Sequence, residues 1–236
     1  MVLLAYSCSV IFSFLYQFSH KGFLSLRYFY TRSRCDYCAE VIKPYDLLPI
    51  ISFITLNGRS RCCRQKLQIY YFIGEVLSVI PIFLYSMTNT NIHFVLFLTT
   101  FLFLLTMSLY DMHSMTVDLR LVCIYIIITC LFSHIYFWNF LIVFTITHTL
   151  YLFMYKLIGY GDIIIFNMLA LFLPLKLSFY LFIFTFIIGG LVVILFKLFI
   201  KKDIKYIPLI PFIFLSFVTN ALFYQEINQF LGGDFY

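Results

Sequence analysis

Runs of about twenty residues with almost no charge recur along this chain, the length an α-helix needs to cross the hydrocarbon core of a bilayer. Only 11% of the 236 residues are charged, against roughly 25% in soluble domains, so there is too little polar surface to cover a fold in water. Most blocks are apolar all round rather than along one stripe. The chain therefore reads as an all-α polytopic membrane protein. The blocks predict eight transmembrane helices, near 1–19, 69–87, 92–110, 119–137, 139–158, 163–177, 178–200 and 206–224. The sixth is short and ends near Pro174, which suits a tilted helix or a hairpin with the seventh. The chain thus divides into a first helix (1–19), a basic loop containing a cysteine motif (20–68), a transmembrane core (69–224) and a polar tail (225–236).

The first block lacks the positive n-region of a cleaved signal peptide, and its basic flank (His20, Lys21, Arg27) follows it. That is the pattern of an uncleaved span with its N-terminus outside. In this orientation the inner segments 20–68, 111–118, 159–162 and 201–205, with their span ends, hold fifteen of the sixteen Lys and Arg residues, Lys176 being the exception. Asp111, Asp118 and Asp162 then share the cytoplasmic face.

Gly159-Tyr160-Gly161-Asp162 joins two apolar stretches, and a carboxylate there is costly unless water, a partner or a task accounts for it. The glycines permit a tight turn. Asp162 opens the next helix, where capping and the macrodipole favour negative charge, so a helix cap is its simplest role. Asp111 closes the third span, and Asp118 falls seven residues later, on the same face if that helix continues. Two spans run out and back between Asp111 and Asp162, so these carboxylates can approach one another. Close carboxylates share a proton: the charged one activates a water and the protonated one polarises a scissile carbonyl. That is aspartic-protease chemistry, and it requires no metal. Ser114 and His113 lack an orienting partner or an oxyanion motif, and the five histidines form no H-E-x-x-H. Glu75 lies about two helical turns inside the second span. It is expected to face a polar interior, pair with a base of the loop or stay protonated, in a structural or substrate-related role.

The basic loop carries four of the seven cysteines. Cys35 and Cys38 form a C-x-x-C pair, and Cys62 and Cys63 follow at the far end. Two pairs so separated read as a tetrahedral zinc site in a reducing cytoplasm. Adjacent cysteines are a poor second pair, and a basic loop lying on anionic lipid needs no metal, so both readings stay open. Cys8, Cys123 and Cys130 lie within spans and read as small apolar residues.

These residues together resemble the type IV prepilin peptidases, intramembrane GxGD aspartic proteases, and most nearly their compact, competence-associated Gram-positive branch. Arg32-Ser33-Arg34-Cys35-Asp36-Tyr37-Cys38 resembles the family's R-S-x-C-x-x-C, and Tyr45-Asp46-Leu47-Leu48-Pro49-Ile50-Ile51-Ser52 its Y-D-x-x-P-x-x-S. Gly58-Arg59-Ser60-Arg61-Cys62-Cys63 resembles G-R-C-R-x-C, and Glu75 matches a glutamate after an aromatic run. Ser108-Leu109-Tyr110-Asp111 and Gly159-Tyr160-Gly161-Asp162 resemble the two catalytic segments, and Ile207-Pro208-Leu209-Ile210-Pro211-Phe212 the terminal I-P-F-G-P-F.

The resemblance implies that Asp111 and Asp162 are the catalytic pair, supported by Gly159, Gly161 and, as an auxiliary, Asp118. It implies cleavage of the short basic leader of prepilins or pseudopilins at a glycine, at the cytoplasmic face of a bacterial cell membrane. The expected partners are prepilin and lipid, not nucleic acid. Proteolysis needs no cofactor, and zinc would be held by Cys35, Cys38 and Cys63 with Cys62 or water as the fourth ligand. Many members also N-methylate the product with S-adenosylmethionine. Here the altered cysteine loop, and the lack of a Rossmann unit with a glycine-rich loop, argue against that activity. The chain departs from the pattern at Ser60 (a cysteine in the family), Ile164 (a lysine) and Val117 (a proline). The competing reading is a transporter or pilus-assembly subunit whose carboxylates move protons or bind a partner.

Overall fold

The computed structural model describes residues 1–20, 32–88, 92–154, 158–200 and 207–230. Lys21, Arg27, Lys156, the 201–205 segment and the end of the polar tail lie outside the described residues. The chain divides into two compact units, Met1–Ile82 and Phe83–Tyr236. Among the described residues every regular element is helical, and the only β-pairing is two isolated bridges, Arg34 with Val41 and Arg59 with Lys66.

The first unit starts with α1 (Val2–His20), which buries Cys8, Phe12 and Tyr16 along one face at helical spacing. That face packs on α3 (Ile69–Leu77), where the Tyr16 ring meets Tyr71 edge-on at 4.8 Å. Between them lie two cysteine turns, a 3-10 turn at Pro44–Leu47 and the short α2 (Ile51–Thr55). The span expected at 69–87 is broken: α3 stops at Leu77 and α4 runs from Ile80 to Tyr85. Pro81 is the cause. It has no N–H to give, and its ring would clash with the carbonyl of Leu77, four residues back.

The second unit is built around α5 (Phe94–Ser114), whose side chains from Thr100 to Leu109 are all buried. It is followed by α6 (Leu119–Phe132), α7 (Phe137–Met154), α8 (Tyr160–Phe172), α9 (Leu175–Ile200), α10 (Ile210–Leu222) and the short α11 (Tyr224–Phe230); α6 and α10 pack on α5, α7 and α9 on α8, and α9 on α10. α8 ends because Leu173 precedes Pro174 and takes the extended conformation that a following proline imposes. α10 opens with Pro211 near its start, where a missing N–H costs nothing. Rings pair between α5 and α10, Phe97 with Phe217 at 5.6 Å and Phe101 with Phe214 at 5.0 Å. Single hydrogen bonds join other helices: Thr100 to Tyr125 (2.8 Å), Thr147 to Asn167 (3.2 Å) and Ser216 to the Leu181 carbonyl (2.8 Å). Helices that cannot gain from expelling water associate through such packing and polar contacts.

α1, α5 and the Leu175–Phe199 part of α9 are long and apolar enough to cross a membrane, and the pair α10–α11, bent by 86°, could supply a fourth span. Ile69–Tyr85, Leu119–Phe132, Phe137–Phe153 and Tyr160–Phe172 are apolar but shorter. α9 presents Leu191, Ile194, Leu195, Leu198 and Phe199 outward, a surface suited to lipid rather than water. The molecule is a multi-pass membrane protein.

Candidate active site and cysteine turns

In the second unit, three chain segments converge on Asp111. The residue lies in the last turn of α5, buried to 6% exposure. The Ile210 N–H, at the first position of α10, lies near its carboxylate. That amide is one of those a helix start leaves without an internal partner. One carboxylate oxygen, Oδ2, is buried and has no hydrogen-bond partner among the described residues. An unmet buried acceptor costs about 1–3 kcal/mol and usually marks a place kept for something else. The Ile-Pro-Leu-Ile-Pro motif thus acquires a local purpose, to start α10 against Asp111. Nothing in the sequence announced this, because a backbone amide has no signature.

α5 does not continue to Asp118. Met115 adopts a left-handed conformation (φ 51°), and its N–H closes back on the Asp111 carbonyl at 2.9 Å. Asp118 instead caps α6, accepting the Arg120 N–H at 2.9 Å and gripping the Arg120 guanidinium through both oxygens, at 2.9 and 2.7 Å. Its oxygens are engaged by a helix start and an ion pair.

Asp162 is not itself the N-cap of α8. Gly159 takes that position, and Asp162, three residues on, turns its carboxylate back toward it. A Cβ on Gly159 would come within 3.0 Å of Asp162 Oδ2. Neither glycine has a positive φ, so what the motif requires here is space rather than unusual backbone angles. Asp111 and Asp162 are close enough for the charge of one to act on the other.

In the first unit, two turns present the cysteines with matching geometry. In one, the Ala39 N–H bonds the Cys35 carbonyl (2.9 Å), the Cys35 N–H bonds the Glu40 carbonyl (2.9 Å), and Ala39 has φ 57°. In the other, the Arg64 N–H bonds the Ser60 carbonyl (3.0 Å), the Ser60 N–H bonds the Gln65 carbonyl (2.8 Å), and Arg64 has φ 56°. Ser60 therefore stands where Cys35 stands, and Cys63 where Cys38 stands. Cys62 lies between those positions, yet its sulfur joins the group, with the four Sγ atoms within 4.8 Å of one another. The separations are 3.7 Å for Cys35–Cys63, 3.2 Å for Cys38–Cys62 and 4.0 Å for Cys62–Cys63. A tetrahedral metal with bonds near 2.3 Å sets its sulfurs about 3.8 Å apart. This cluster could bind a metal.

Tyr45-Asp46 and Glu75 brace that loop. Asp46 takes Arg61 through both oxygens (2.9 Å each), and the Tyr45 ring lies 5.2 Å beneath the same guanidinium. Pro49–Ile51 forms a γ-turn of the strained hand, with Ile50 at φ 64°, ψ −53° and a 2.6 Å bond from the Ile51 N–H to the Pro49 carbonyl. The freed Ile50 N–H donates to Glu75 at 2.7 Å. Among the described residues Glu75 is thus partnered by a backbone amide rather than by a basic residue.

Residues 7–89 match the family model described as the bacterial peptidase A24 N-terminal domain, and residues 96–194 match that of the type IV leader peptidase family. A 66-residue stretch is 35% identical to the prepilin leader peptidase/N-methyltransferase of Vibrio cholerae serotype O1, covering 26% of this chain and 26% of that protein. A 48-residue stretch is 38% identical to the protein of the same name from Pectobacterium carotovorum subsp. carotovorum, covering 20% and 17%. A third, of 56 residues, is 34% identical to the type 4 prepilin-like proteins leader peptide-processing enzyme of Escherichia coli O78:H11, covering 24% and 21%. The matched stretches thus span about a quarter of these relatives' length at most. No solved structure matches. Two family models met in chain order, nearly one to each compact unit, and relatives that share one activity in their names lead to a single conclusion: the chain belongs to the type IV prepilin peptidase family.

Proposed function

We propose that this chain is an aspartic prepilin leader peptidase, with Asp111 and Asp162 as the catalytic pair. One observation carries the reading: a buried carboxylate, Asp111, and a half-buried one, Asp162, from the ends of different helices lie within electrostatic reach, and Asp111 keeps an oxygen without a partner among the described residues. The pair works with one proton between its members. The charged carboxylate takes a proton from water as that water attacks the scissile carbonyl, and the protonated one hydrogen-bonds the carbonyl oxygen as negative charge develops there. Collapse of the tetrahedral intermediate passes a proton to the leaving amine and restores the shared-proton state. The Ile210 amide lies beside the Asp111 carboxylate, whose Oδ2 is open to water or substrate.

The eight-span topology with an outer N-terminus puts this chemistry at the cytoplasmic membrane edge. A cationic leader followed by an apolar helix would meet it there. Cys35, Cys38, Cys62 and Cys63 would hold zinc, whose part is to fasten the two turns together. The N-methyltransferase named in the relatives is a separate activity, read from the mass of the product's N-terminus.

The test is cleavage of a co-expressed prepilin. Asp111→Asn and Asp162→Asn each abolish leader removal while the protein still inserts in the membrane. Normal processing by either variant sinks the proposal.

A further inference from the structure

The α5–α6 link meets the start of α8 at one point. A Cβ built on Gly161 would lie 2.4 Å from Val117 Cγ2 and 3.2 Å from Val117 Cβ. Real atoms do not approach so closely, and Val117 has little freedom to retreat. Its β-branched side chain is stiff at χ1. Its backbone is held on one side by Met115, whose N–H is bonded to the Asp111 carbonyl, and on the other by Asp118, which caps α6 and grips Arg120. The link therefore behaves as a short strut, anchored at Asp111 and ending in an isopropyl group that rests on the residue next to Asp162.

We infer that Val117 is a positioning residue that sets the separation of Asp111 and Asp162 by seating on the bare backbone of Gly161. This rests on the aspartic-peptidase reading above. The second glycine of the motif then exists to receive Val117, and the two positions form one steric unit, large on the link and absent on the helix. A methyl group at 161 pushes Asp162 away from Asp111. A smaller side chain at 117 leaves the pair unsupported and free to vary in spacing. The proton sharing between the carboxylates depends on that spacing, so both changes act on the chemical step rather than on substrate capture.

The experiment measures kcat, KM and the pH profile for prepilin cleavage by purified full-length wild type, Val117→Ala, Gly161→Ala and the double variant, with melting temperatures of all four. Gly161→Ala lowers kcat about 100-fold, the scale for a displacement near 1 Å, with KM little changed. Val117→Ala lowers kcat less and moves the limbs of the pH profile, which a residue serving stability alone would leave in place. The double variant recovers at least about tenfold in kcat over Gly161→Ala, because the new methyl enters space the isopropyl has left.

A double variant no better than Gly161→Ala, or a fully active Gly161→Ala, overturns the inference while leaving the peptidase standing. The melting temperatures test the contact without activity. The loss in the double variant should be smaller than the two single losses added, and strict additivity refutes the contact. Wild type that cleaves no prepilin, under conditions where a relative does, removes the peptidase reading and the spacing role with it.

Discussion

Replacing Cys62 with serine tests the least expected feature of the cysteine loop. The second turn offers Ser60 at the position Cys35 holds in the first, and Cys62 supplies the sulfur instead, 3.2 Å from Cys38 and 4.0 Å from Cys63. Four thiolates hold a structural zinc by about 10–16 kcal/mol, so one of them accounts for about 2.5–4 kcal/mol. Losing it should weaken binding about 100-fold or more, at 1.4 kcal/mol per tenfold. The Ser60 hydroxyl already lies 3.1 Å from Cys63 Sγ, in the place a sulfur would need. Adding Ser60→Cys to Cys62→Ser should therefore restore most of the affinity through the regular pairing of the two turns. Zinc stoichiometry and competition with a chromogenic chelator, on the purified full-length protein, read both effects. Wild-type affinity in Cys62→Ser would refute Cys62 as a ligand, and a double variant as weak as the single would refute the equivalence of the turns.

The same loop gives a pH dependence. The Cys35 thiol is held down to about 7, chiefly by the backbone N–H of Cys38, while Cys62 is pushed up to about 12, chiefly by its hydrogen bond with Cys38. Ligand thiols must lose their protons, so zinc binding should release protons. Its affinity should fall as the pH drops, most steeply below about 7, where Cys35 is also protonated; an affinity flat between pH 8 and 6 would contradict this. Asp118→Ala should lower stability by about 1 kcal/mol through the lost α6 cap, read as a melting shift, and reduce cleavage far less than Asp111→Asn does. Glu75→Gln keeps an oxygen for the Ile50 N–H and should fold normally. Glu75→Ala strands that amide beside a strained turn, and should cost about 1–3 kcal/mol and speed proteolysis near residue 50.

The helical class and the membrane setting were legible in the sequence because both depend on local composition: an apolar block must bury its backbone polarity in its own hydrogen bonds wherever it sits. The residues of the two aspartate segments and of the four-cysteine loop were legible for a related reason, since charge and thiols stand out in so apolar a chain. Even the break at Pro81 follows a local rule, although the block around it read as one span.

What the sequence did not carry is how residues far apart in the chain use one another. Asp162 looked like a cap and is instead the third helical residue reaching back to Gly159, a matter of one turn's register. Ser60 and Cys35 share a role only through the hydrogen bonds of two separate turns. The partner of Glu75 is an amide released by a strained turn. The Ile210 N–H near Asp111 and Val117 against Gly161 are a backbone group and an aliphatic side chain, with no chemical mark to distinguish them in the sequence. Composition decides which segments enter the membrane. Which distant segments meet at the aspartates depends on close packing between them, and only the tertiary structure provides that.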